Sequence, residues 1–446
     1  MAISSNRGSL TNVPRGLANL VLLLCFLTIL SEGYEVGIMG TIIPVLLHDR
    51  VWGLTPIQVT GLASASLIGT IAGAFLHSLI VDVAGRKRPL IVYVLMFSVA
   101  MIFAATATSP SAFAVCRLIA GVGLGGLVPV ASSLTVEYSP RGQENWNFSK
   151  MYAGYSLGAV VSGAAGFFLM GQHNWQLVVW LGALPILLLP FLIMMLPESM
   201  DYLISRGRKQ EASKLLAKHN MSWNDIDEAA KEHPQKVNFV TGLAEMFTGR
   251  MIFPTICHGL AQFTALLVLY GFGTWLPQLM RKSGYELGSS LQFQMTFYLT
   301  SAIGGVIIGK IADHYGVRRT IAAFFLLGAC SITGMAFSHG IVMNYILVAI
   351  TGFGTTGVAL VLLGYIVGWY GPRQNGISSG YAALTGRAGA LVGPVLGGLL
   401  AQAELPAVYN FLVFGGIAVI TAIVVAITPK PTASVPELAP NTPAHA

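Results

Sequence analysis

Charge is what this sequence has least of. Asp, Glu, Lys and Arg together make up 10% of the 446 residues, against about a quarter in a soluble globular domain, and that excludes the ordinary soluble classes. Cysteine is scarce as well: Cys25, Cys116, Cys257 and Cys330 all fall inside apolar runs, without metal-ligand spacing. They read as buried small hydrophobes and say nothing about redox compartment. No nucleophile–base pair, metal cluster or nucleotide loop is visible, so neither an enzyme nor a cofactor is expected. The first apolar run is long and lacks a small-residue cleavage site, which argues against a cleaved signal peptide.

What is present in quantity is apolar sequence: 54% of the residues are hydrophobic and the mean hydropathy is +0.70. Runs of roughly 20 residues, the length that spans a bilayer core, lie near 17–39, 58–80, 89–108, 112–135, 149–171 and 175–195. Six more lie near 252–277, 290–312, 319–337, 342–367, 376–401 and 406–428. The fold class expected is an all-α membrane protein of twelve helices in two six-helix bundles, 17–196 and 251–428, after a short tail at 1–16. A cytoplasmic linker at 197–250 joins them, and Ser222-x-x-Asp225 within it reads as a capping box opening a short amphipathic helix. The proline-rich tail 429–446 cannot bury a core and is expected to be disordered.

Lys and Arg are retained on the cytoplasmic side of a membrane. Of the 25, only Arg50, Arg281 and Lys282 fall in loops that would face outward, and Arg117 and Arg387 lie inside helices. The rest sit in the tails and the even-numbered loops, so both termini are expected to be cytoplasmic. The net charge of +7 is then a retention signal, and nucleic acid is not expected as a partner.

The two halves are copies of one another. Asp82-Val-Ala-Gly85-Arg86-Lys87-Arg88 closes one apolar run and Asp313-His-Tyr-Gly316-Val-Arg318-Arg319 closes another, 231 residues later (313 less 82). Such a repeat, carried by apolar helices, is the mark of a transporter whose substrate binds between two homologous bundles. The two loops read as gates: glycine permits the tight turn, Asp accepts from helix N-terminal amides or from an Arg of the neighbouring bundle, and the cations stay inside. Such a lock breaks and re-forms as the halves rock.

An ionisable side chain at membrane depth costs at least about 2.5–3.5 kcal/mol on insertion scales, so each one calls for a reason. Glu32 and Glu35 stand three apart on one face of the first helix, and Arg117 in the fourth helix lies at matching depth, so an ion pair is available. One Arg cannot satisfy two carboxylates. A buried acid left without a cation binds a proton, and proton coupling is therefore assigned to Glu32, Glu35 and Arg117. Their counterparts in the second half are apolar, near Ala265 and Val268. Arg387 lies midway along the eleventh helix in Gly386-Arg387-Ala388-Gly389, with no acid near it in its own half. It is expected to anchor a substrate carboxylate, with a backbone carbonyl or a distant Glu as the alternative partner. Tyr155, Trp275 and Tyr381 are candidate cavity aromatics, as are Tyr298 and Tyr365.

These residues resemble the major facilitator superfamily over nearly the whole chain. The loops at Asp82 and Asp313 are similar to its signature, although Ser78 stands where that family usually has Gly, and Arg117-Leu-Ile-Ala-Gly121 is similar to its fourth-helix Arg motif. Glu137-Tyr138-Ser139-Pro140, Leu196-Pro197-Glu198-Ser199, Tyr270-Gly271-x-x-Thr274-Trp275-Leu276-Pro277 and Gly386-Arg387-x-Gly389 resemble the aromatic acid:proton symporters. That subfamily carries Asp-Gly-x-Asp in its first helix, where this chain has Glu32-Gly33-Tyr34-Glu35. The resemblance implies proton-driven uptake of benzoate, a hydroxybenzoate, gentisate or a related acid across a bacterial inner membrane, by a chain functional as a monomer. A proton symporter of another acid, such as muconate, shikimate, sialic acid or a sugar acid, is the first alternative. An efflux antiporter is the second, and the absence of proline from the glycine-rich fifth run speaks against it.

Overall fold

In hydrocarbon every backbone N–H and C=O must be satisfied within the chain, and for isolated apolar runs the α-helix is the solution. The computed structural model describes residues 10–170, 174–226, 239–370 and 374–429, and among them twelve helices are long and apolar enough to cross a membrane. The first half contains α1 (Arg15–His48), α2 (Pro56–Ala84), α3 (Lys87–Ala105), α4 (Pro110–Glu137), α5 (Glu144–Leu169) and α6 (Trp175–Met194). The second contains α7 (Ile252–Lys282), α8 (Leu287–Tyr315), α9 (Val317–Met335), α10 (Ile341–Trp369), α11 (Asn375–Gln402) and α12 (Ala407–Ile427).

Three of them are irregular where the sequence weakens the helix. α4 breaks at Gly126, α6 passes through a 3-10 turn at Leu184–Leu188 beside Pro185 and Pro190, and α10 contains a π turn at Gly352–Thr356. Packing repeats the sequence duplication. α1 lies on α5 and α2 on α4 in the first half, as α7 lies on α11 and α8 on α10 in the second. Between the halves α5 meets α8, α2 meets α11 and α1 meets α7. The face carrying most Lys and Arg is called the basic face below.

The linker differs from its expected form. Ser222 and Asp225 do make the reciprocal capping bonds, but they open only a 3-10 turn, Trp223–Asp225, and the amphipathic helix, Lys209–Lys218, precedes them. A three-residue turn is too short to present an apolar face, and Asp225 is occupied otherwise: its carbonyl accepts from the Thr11 amide at 2.7 Å and its carboxylate from Asn12 at 3.0 Å. The tail from residue 430 and the linker stretch 227–238 lie outside the described residues. The cysteines also divide: Cys25 and Cys257 are buried, Cys116 is half-buried and Cys330 is exposed. An outward-facing thiol on a spanning helix costs little, because lipid is as apolar as the protein interior.

Candidate functional site

α1 runs against α5 at backbone distance. A Cβ at Gly33 would stand 1.8 Å from the Tyr155 carbonyl oxygen, so only glycine allows the approach that places the carboxylates on either side of it. Glu35 turns into the first half and pairs with Arg117, each side chain 2% exposed. Glu32 faces the space between the halves, and its Oε2 is buried with no hydrogen-bond partner among the described residues. Glu32, Glu35, Thr70 and Arg117 from the first half and Tyr270 and Pro394 from the second surround a cavity of about 40 Å³.

Arg387 approaches this space from α11. Its Nη1 donates to the Thr70 carbonyl at 3.2 Å, across the interface between the halves, and it is the cation whose field falls on Glu32. Both alternative partners read from the sequence, a backbone carbonyl and a distant Glu, are thus beside it. Tyr155 and Tyr270 join their hydroxyls at 2.6 Å across the same interface, and Tyr152 lies within the electrostatic reach of Glu32, Arg387 and Tyr270.

The other two candidate aromatics are placed elsewhere. Trp275 is fully buried and its indole N–H donates to the Pro394 carbonyl at 3.0 Å, so it packs α7 on α11 behind the cavity wall. The Tyr381 hydroxyl donates to the Thr255 carbonyl at 3.0 Å, near the basic end of α7. Tyr298 is buried and its hydroxyl has no hydrogen-bond partner among the described residues, and Tyr365 packs edge-on against the His258 ring. Sequence reasoning missed Thr70 and Tyr152. Thr70 acts through its carbonyl, which no residue pattern encodes, but Tyr152 stands three before Tyr155 and was legible as its neighbour on one helix face.

The face opposite the basic one is closed. Gln294 on α8 is fully buried; its amide donates to the Gly37 carbonyl at 2.8 Å and accepts from Thr41 at 3.2 Å. Nearer the surface, Arg281 donates to the Pro44 carbonyl at 3.0 Å. Every cross-half hydrogen bond described here lies at the level of Arg387 or beyond it, away from the basic face.

On the basic face the amides of Arg86 and Lys87, which open α3, donate to the Glu198 carboxylate at 2.9 and 3.0 Å, a capping contact that the sequence reading did not foresee. A carboxylate there also meets the positive end of the helix dipole. Gly85, at φ +80°, leaves it room, since a Cβ would stand 2.9 Å from the carboxylate. Arg86 contacts Glu137 of its own half at 2.6 Å and, in the segment that follows α6, Asp201 at 3.4 Å and the Ser199 hydroxyl. Burial would pull its guanidinium down, and Glu137 and Asp201 hold it above its ordinary value. The side chain of Asp82 lies outside the described residues, and Arg88 is exposed. In the second copy Gly316 takes φ +92°, and Arg318 donates to the Thr428 carbonyl at 2.5 Å.

The sequence profile described as "Sugar (and other) transporter" matches residues 20–297, and that described as "Major Facilitator Superfamily" matches residues 259–445. The chain belongs to the major facilitator superfamily, among its aromatic acid transporters. It is 29% identical to a benzoate transport protein of Acinetobacter baylyi, over 88% of this chain and 85% of the other. It is 30% identical to a gallate transporter of Pseudomonas putida, over 89% and 88%, and 27% identical to a gentisate transporter of Corynebacterium glutamicum, over 90% and 85%. Among solved structures, the xylose transporter XylE of E. coli in a partially occluded inward open conformation superposes with a TM-score of 0.72. At 16% identity, over 92% of this chain and 97% of that one, the likeness is one of fold.

Proposed function

We propose that this transporter carries a small aromatic carboxylate inward together with a proton, by alternating access across a bacterial inner membrane, as a monomer with both termini cytoplasmic. One observation carries the reading: among the described residues Glu35 is ion-paired with Arg117, whereas Glu32 faces the space between the halves with no ion pair, under the charge of Arg387. Glu32 is thus the proton carrier, and Glu35–Arg117 a fixed pair that holds α1 to α4. Arg387 is shared in turn. With Glu32 ionised it faces that carboxylate, and with Glu32 protonated it is free to meet the carboxylate of the substrate. The proton and the acid therefore favour one another's binding, which is the requirement for symport.

The printed substrates of the relatives support an aromatic acid, and Tyr152, Tyr155 and Tyr270 beside Glu32 and Arg387 supply ring surfaces for one. Lys and Arg on the linker and tails support the orientation. The test is uptake into proteoliposomes of labelled benzoate, 4-hydroxybenzoate, gentisate, muconate and shikimate, with and without an inward proton gradient. Gradient-dependent accumulation of the aromatic acids is expected. Accumulation unaffected by collapse of the gradient overturns proton coupling, and preference for the aliphatic acids overturns the substrate class.

A further inference from the structure

Helix α5 carries more aromatic surface than the midplane site uses. Phe148, Tyr152 and Tyr155 stand at i, i+4 and i+7, one face of a helix, and their rings lie nearly parallel. Phe148 and Tyr152 are 6.0 Å apart between centroids at 22°, and Tyr152 and Tyr155 are 5.6 Å apart at 19°. At a rise of about 1.5 Å per residue the row covers about 10 Å along the helix axis. It begins one turn from the basic end of α5 and ends at the hydroxyl pair of Tyr155 with Tyr270. Two of the three rings border the cleft between the halves: Tyr155 touches the second half directly, and Tyr152 has Tyr270, Glu32 and Arg387 as electrostatic neighbours, while Phe148 continues their stack toward the basic face. Its burial is graded, with Tyr155 buried and Tyr152 and Phe148 only half-buried, so the two rings nearer the basic face keep part of their surface open. A ring row that existed only to pack α5 would be closed along its length.

Resting on the symport reading above, we propose that Phe148 and Tyr152 form a second binding position for the ring of the transported acid, between the midplane site and the cytoplasm. Three features argue for that occupant: the row is continuous with the Tyr155–Tyr270 pair at the site, it lies on the side left open when the opposite face is sealed, and its chemistry is that of a ring surface leading away from Arg387. An acid leaving Arg387 gives up its charge contact first and keeps its ring contact, stepping from Tyr155 to Tyr152 to Phe148. A flat aromatic ring gains from an offset stack at each step, and a saturated ring does not.

The experiment is benzoate counterflow in oriented proteoliposomes, with half-saturation measured separately from the cytoplasmic and the external side, for the parent, Phe148→Leu, Tyr152→Leu, Phe148→Tyr and Tyr152→Phe. Phe148→Leu is expected to raise the cytoplasmic-side half-saturation about two- to tenfold, the span of one aromatic contact, and to leave the external side unchanged, while Tyr152→Leu, whose ring also borders Glu32 and Arg387, is expected to raise the cytoplasmic-side value more than the external one. The ring-keeping variants are expected to match the parent. Equal shifts on both sides, no shift on either, or ring-keeping variants as impaired as the leucines would overturn the second position while leaving the symport reading standing. A parent that moves no aromatic acid overturns the symport reading and this proposal with it.

Discussion

Glu32 and Glu35 are the same residue type three positions apart, and their neighbours give them different work. Glu35 lies against Arg117 with both side chains 2% exposed, and removing one member of such a buried pair costs about 3–5 kcal/mol because the other charge is left uncompensated. Glu35→Gln is therefore expected to lower the thermal unfolding midpoint in detergent. Glu32→Gln removes no ion pair: it is expected to leave that midpoint near the parent's, abolish proton-driven accumulation and spare counterflow exchange. Reversed phenotypes would exchange the two roles. Arg387 belongs to the same scale. Its planar fork meets a carboxylate with two parallel hydrogen bonds where lysine offers a point charge, so Arg387→Lys is expected to weaken benzoate binding by about 1–3 kcal/mol, the range for charge-assisted bonds. Calorimetry with benzoate and benzamide is the check: equal losses for acid and amide would mean that Arg387 supports the fold and does not read the carboxylate.

At the scale of the element, helix ends and helix crossings decide what can move. α8 crosses α1 through Gln294, whose amide holds Gly37 and Thr41 in the other half. Polar bonds between helices in a membrane contribute about 0.6–2 kcal/mol each, enough to bias a two-state equilibrium of a few kcal/mol. Gln294→Leu keeps the volume roughly constant and removes both bonds. It is expected to raise the population open on the face opposite the basic one, read as faster labelling of a single cysteine introduced at Thr274, which lines the cavity beyond Tyr270. Unchanged labelling would place the seal in the apolar contacts alone. On the basic face α3 is capped by Glu198, and Arg86 is held by Glu137 and Asp201, so the first gate loop ties together α2, α3, α4 and the segment after α6 as one body.

At the scale of the whole molecule, a single mobile proton has an electrical consequence. One proton on Glu32 and one monoanionic acid carried together move no net charge. A potassium diffusion potential imposed without a pH difference is expected to drive no accumulation of benzoate, and a pH difference at zero potential is expected to drive it. Accumulation under potential alone would mean that a second proton moves with each acid, and Glu35 would be the first place to look for it. The two halves are asymmetric in the same sense: the counterparts of the acids near Ala265 and Val268 are buried apolar residues, so Glu32 and Glu35 have no acidic equivalents at those positions of the second half.

The sequence alone determined the architecture, because a bilayer admits few backbones. Apolar runs of spanning length must be helices, a 231-residue repeat (313 less 82) makes the second bundle a copy of the first, and intramembrane charges are rare enough to be counted as Glu32, Glu35, Arg117 and Arg387. It could not divide labour between Glu32 and Glu35, which share a helix face at the same depth; only the position of α4 puts Arg117 on one of them. The Thr70 carbonyl beside Arg387 and the Glu198 carboxylate beneath α3 were beyond its reach for the same reason. Each contact joins segments more than a hundred residues apart, and the first uses a backbone atom that every residue possesses. Trp275 and Tyr381 were named from their type and helix, but which side of a helix faces the cavity depends on how the halves meet. Period and composition describe a helix against its own axis, whereas a site between two bundles is set by their relative placement, which only the tertiary structure decides.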